Sequence, residues 1–195
     1  TPYTWDKERV SSYIRYVDTD NQSHWLFDSF LFLEIMDTGT GGANKMFAKG
    51  YNLESANQAD WTKLIDYYFQ SETGIGALDA SVKEASAILG TPRQKRQIVI
   101  SIPEPIVYQH PEQASSSTKY WGKIDNQTLD FSNSADRIKA CKWYIDQVRA
   151  KFNEKNYQHV ELAGFYWLAE KATDTRDILN AVAIYLNKLK YSFNW

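Results

Sequence analysis

Glu170 closes a nearly uninterrupted apolar segment, residues 161–169, that presents Tyr166 and Trp167 just before it. A carboxylic acid beside two aromatic rings is suited to gripping a sugar ring and protonating it. The rings offer flat apolar faces, and by lowering local polarity they raise the acid's pKa. Glycoside hydrolysis needs two carboxyl groups flanking one bond, about 5 Å apart for retention or roughly 6.5–9.5 Å for inversion. Glu104, held between Pro103 and Pro105, is the second catalytic candidate. Asp18, Asp28 and Trp121 join Tyr166 and Trp167 as expected substrate contacts. These have plainer readings: core aromatics for the rings, a solvated helix-start residue for Glu170, a loop acid beside a proline turn for Glu104, and for Asp28 an ion pair with Arg15. Asp28 and Glu34 are an even number of residues apart, so on one strand they share a face.

Other chemistries find less support. His24, His110 and His159 lack ligand spacing, so neither a histidine zinc site nor a Ser-His-Asp triad is expected. Residues 18–21 begin like a calcium loop but lack Gly at the sixth position and Glu at the twelfth. No dinucleotide fingerprint or Walker loop is present, and no cofactor or metal is expected. Cys141, the single cysteine, falls on the apolar face of a predicted helix and reads as a buried thiol. The formal net charge is −2 with dispersed basic residues, which argues against a nucleic-acid partner. No apolar run approaches the roughly 18 residues of a membrane span. The compositional excess is aromatic, at 15% with 7 Trp and 13 Tyr.

The elements that must position these groups alternate. Strand patterns cover residues 13–18, 25–34, 97–103 and 161–169. Helical spacing runs from Asp60 through Tyr68, from Leu78 to Leu89, from Asn133 or Ser134 to Phe152, and from Asp174 or Thr175 to Leu189. Residues 39–50, with Gly39, Gly41 and Gly42, read as a mobile loop over a cleft, and 108–131 as a long irregular connection. Strand–helix alternation predicts an α/β fold with a parallel sheet. An eight-stranded barrel of this kind takes about 250 residues. Residues 1–195 are therefore expected to be a single α/β domain, the N-terminal half of a (β/α)8-type barrel truncated on its C-terminal side. Residues 190–195 read as a helix exit before a further strand.

Residues 25–32 (WLFDSFLF), Trp121-Gly122, 129–132 (LDFS), 140–146 (ACKWYID) and 164–167 (GFYW) together resemble the bacterial family known as domain of unknown function 4855. The resemblance is collinear over nearly the whole chain. It implies a secreted, periplasmic or cell-surface protein from carbohydrate-degrading bacteria, and a domain that continues with further strands. A looser architectural resemblance is to barrel glycosidases, whose acid/base Glu ends the fourth strand, as Glu170 ends the fourth expected here. The expected function is thus a glycoside hydrolase-like domain acting on a glycan or polysaccharide, with the missing half as a possible partner. The alternatives are a non-catalytic carbohydrate-binding or scaffold module stacking sugars on Trp167, Tyr166 and Trp121, and a four-stranded interaction domain for protein partners.

Overall fold

The computed structural model describes residues 5–37, 44–169 and 175–195. The Asp6 carboxylate accepts the Arg9 N–H at 3.0 Å and caps helix α1 (Lys7–Ile14), which buries Val10 and Ile14 one turn apart. The chain then forms an antiparallel hairpin of β1 (Arg15–Val17) and β2 (Ser23–Trp25). The strand expected over residues 13–18 is thus divided between a helix end and a hairpin outside the main sheet. The cause is local. Asp18 Oδ1 accepts the Asp20 and Gln22 N–H groups at 2.9 and 2.8 Å, and Asn21 takes the left-handed conformation at φ 61°.

After β3 (Ser29–Phe32), three two-residue strands form a small second sheet: β4 (Met36–Asp37), β5 (Lys45–Met46) and β6 (Glu54–Ser55). Helix α2 (Gln58–Tyr68) starts at a capping box, in which Asn57 Oδ1 accepts from Asp60 N–H at 3.1 Å and Asp60 Oδ2 from Asn57 N–H at 2.9 Å. Helix α3 (Gly74–Leu89) leads to β7 (Arg96–Ile102), whose β-branched residues favour extended backbone. The irregular connection contains a tight hairpin, β8 (Lys123–Ile124) and β9 (Gln127–Thr128), turning through Asp125 and Asn126 at φ 52° and 64°. Asn133 caps α4 (Ser134–Lys155), which ends at Asn156 in the left-handed region. Then follow β10 (Val160–Trp167), α5 (Arg176–Lys188) and β11 (Ser192–Asn194).

The main sheet is parallel, in the order β11-β10-β7-β3. Every connection along it carries at least one helix, so the architecture is mixed α/β with a four-stranded parallel sheet and five helices among the described residues. Its membership differs from expectation at both ends. The apolar run at 25–34 contributes only Ser29–Phe32, and the segment read as a helix exit supplies the fourth strand, with Phe193 in register with Phe165. Ile98, Ile100, Ile102, Phe165 and Trp167 form one core with Cys141, Tyr144, Ile145 and Val148 of α4, all fully buried. Among the described residues no helix is long and apolar enough to cross a membrane.

Candidate functional site

Parallel strands in an open α/β sheet present their functional groups at their carboxyl ends. Glu34 stands two residues beyond β3, and Glu104 two beyond β7. Glu170 and Asp174 lie outside the described residues, as do Gly39, Gly41 and Gly42 of the expected cleft loop.

Glu104 is buried, at 5% exposure. Its Oε2 accepts the Lys49 N–H at 2.7 Å, and its own N–H donates to the Phe47 carbonyl at 2.7 Å. The carboxylate therefore joins the end of β7 to the segment after β5, and its charge reaches Tyr120, whose hydroxyl donates to Ile106 O at 2.6 Å.

Glu34 has a different setting. Burial, and then the neighbouring negative charge of Asp37, raise its pKa above the ordinary carboxylate range. It lines a cleft of about 250 Å³ along β3, with aromatic walls from Trp5, Tyr13, Tyr67 and Tyr68. Trp5 meets Tyr13 edge to face at 5.6 Å between centroids, and Tyr68 meets Phe32 at 5.7 Å. A perturbed acid in a cleft at a strand end makes this a candidate site. Tyr67 and Tyr68 are pushed up too, by burial first and by the Glu34 charge among the lesser causes.

The remaining expected residues scatter. Trp167 and Trp121 are 0% and 1% exposed, so as placed they are core rings without a face open to a sugar. Trp167 packs edge to face on Phe193 at 6.2 Å, and Trp121 on Trp61 at 5.1 Å. Tyr166 is half-buried, in register with Ser101 and Asn194. Asp18 sits in the β1–β2 turn with Oδ2 2.6 Å from His24 Nε2, and its pKa is lowered mainly by the Gln22 N–H. Asp28 immediately precedes β3, at the amino end of the parallel strands, away from the end that Glu34 and Glu104 share. Arg15 does not pair with it but reaches Ser23 Oγ at 3.4 Å; the cation beside Asp28 is Arg96, stacked 4.4 Å from the Trp25 ring centroid.

The family model described as Domain of unknown function (DUF4855) matches residues 1–195. The chain belongs to that family. Comparison of this DUF4855 chain with curated proteins and with solved structures found no match. The DUF4855 cleft contains groups that sequence reasoning did not select: Glu34, Tyr67, Tyr68, Tyr13 of α1 and Trp5 just before it. Glu34 had left a signal, an acid closing the apolar run Phe30-Leu31-Phe32-Leu33, whereas the convergence of Trp5 and Tyr13 on it has none. Among the described residues no group of three or more His, Cys, Asp or Glu is gathered as metal ligands would be.

Proposed function

We propose that this is a glycan-active domain of glycoside hydrolase-like type, with its carbohydrate cleft at the carboxyl ends of the parallel strands. The observation that carries the reading is Glu34, a half-buried acid with a raised pKa in an aromatic-walled cleft. Such an acid keeps its proton to higher pH, as donation to a leaving glycosidic oxygen requires. Aromatic walls suit the apolar faces of sugar rings. The proton donor is Glu34 or Glu170, with a second carboxylate, Glu104 among the candidates, completing the pair.

The same proposal treats the sheet as half of a (β/α)8-type barrel. Its strands are parallel, adjacent in chain order and joined through helices, and β3 and β11 are edge strands among the described residues. It carries with it an exported location, secreted, periplasmic or cell-surface, where polysaccharide is encountered. Turnover of polysaccharides by the full-length protein, compared with its Glu34→Gln and Glu170→Gln variants, tests the assignment. Loss of at least 100-fold in one variant is expected, and unchanged turnover in both removes these acids from the mechanism. A second reading, a non-catalytic carbohydrate-binding or scaffold module, is favoured by the engagement of Glu104 with the Lys49 main chain. Glycan binding without product release would decide for it.

A further inference from the structure

One face of the main sheet carries Ile98, Ile100 and Ile102 into the core beneath the helices. Side chains alternate along a strand, so Val99 points the other way, and level with it stand Leu31 of β3, Gly164 of β10 and, beside Gly164, Ser192 of β11. This second face is open. Leu31 is 47% exposed, Ser192 is exposed, and so are Ser29 and Glu161, both level with Gln97. An all-parallel sheet is almost always covered on both faces. The edges are open too. Among the described residues no strand pairs with β3 on its side away from β7, or with β11 on its side away from β10. Neither edge has the Lys, Pro or bulge that guards an exposed strand; their sequences are Ser-Phe-Leu-Phe and Ser-Phe-Asn. Phe27 and Leu33, on either side of β3, add exposed apolar surface.

We infer that a second copy of this chain covers both, its β11 beside β3 and its β3 beside β11, so that two four-stranded sheets close into one eight-stranded barrel. This rests on the half-barrel reading above and names what supplies the other half. Direction and charge favour the pairing. All four strands are parallel, so the two different edges run the same way when they meet. Their amino ends then come together, where exposed Asp28 immediately precedes β3 and exposed Lys190 stands two residues before β11. Pairing β3 with β3 across a two-fold axis is antiparallel instead, and turns Asp28 of each copy toward Glu34 of the other, acid against acid. Eight strands enclose an interior just wide enough for side chains to fill, and Leu31, Val99 and Ser192 are buried within it. Leu31 also lines the Glu34 cleft, so the incoming β11 borders the proposed site.

Light scattering of the intact chain over a concentration series, with hydrogen exchange, tests the inference. A dimer of twice 22.6 kDa is expected, its Ser29–Phe32 amides protected and losing protection on dilution. Leu31→Lys puts a charge where a single chain leaves the side chain half exposed, so the variant should stay folded by circular dichroism while dimerisation weakens by about tenfold. A mixture of Ser29→Cys chains and Lys190→Cys chains, treated with a short bis-maleimide, should give links between positions 29 and 190, because Cys141 is buried and unreactive. Links of 29 to 29 alone overturn the inference. A monomer whose outward β3 amides exchange freely overturns it as well, and leaves the half-barrel reading standing. A monomer in which those amides are protected has its edge closed within one chain, and overturns both.

Discussion

Glu104 Oε2 accepts the main-chain N–H of Lys49 at 2.7 Å, which makes a residue expected to act on substrate also a tie between β7 and the small sheet. A buried acceptor that satisfies a main-chain donor is costly to remove, because the donor is left without a partner. Glu104→Ala should therefore lower stability by about 1–3 kcal/mol in urea unfolding. Glu104→Gln keeps an acceptor oxygen and should lose much less. If the two variants unfold alike, the Lys49 bond is not what the carboxyl group contributes to the fold.

Gly164 is required by its neighbour Ser192. A Cβ on Gly164 would lie 2.6 Å from the Ser192 carbonyl oxygen, a main-chain atom that moves only with β11. Gly164→Ala should destabilise by about 1–3 kcal/mol, as overpacking does, and raise hydrogen exchange in Ser192–Asn194. Wild-type protection of β11 in the variant would count against this close approach.

Asp130 makes the acid limb of stability testable. The Ser132 hydroxyl foremost, and then that of Thr118, hold its folded pKa at about 2, against an ordinary value of 3.8. A carboxylate depressed in the folded state adds stability above its unfolded pKa, and loses it as pH falls through the folded value. The urea midpoint should therefore drop between pH about 4 and about 2, and Asp130→Asn should flatten that slope. An unchanged slope would assign the acid limb to other groups.

Cys141 is fully buried, and burial pushes its thiol up to about 12. Reactivity needs both thiolate and access. Iodoacetamide at neutral pH should leave the native protein unlabelled and modify it only as it unfolds. Rapid native labelling, followed by mass spectrometry, would contradict the packing of α4 on the sheet.

Much of the framework was readable because its signals are local and repeated. Ile98, Ile100 and Ile102 announce a buried strand, and Ile138, Cys141, Tyr144, Ile145 and Val148 mark the inner face of α4. The Asn133 cap and the Cys141 burial follow from the same pattern. Short elements were not readable. Ser192–Asn194 has too few residues to show a period, and the β1–β2 hairpin depends on Asn21 adopting a positive φ. The site was less legible than the frame. Trp167 and Trp121 carry the residue type of a sugar platform but lie in the core, and sequence alone does not say which face of a ring is covered. Glu34 gains its character from burial and then from the charge of Asp37, and only the folded chain brings the aromatic walls around it.

The order β3, β7, β10, β11 is the same along the chain and across the sheet. On the ribosome this permits vectorial assembly. Each emerging strand finds its partner already made, at a single growing edge, and no gap must be held open for a later segment. Chains fold N-terminal parts first as they are synthesised, and partly formed sheets aggregate through unpaired edges. A sheet extended in step with translation has one advancing edge at any moment, which limits the time that a nascent chain spends open to mispairing.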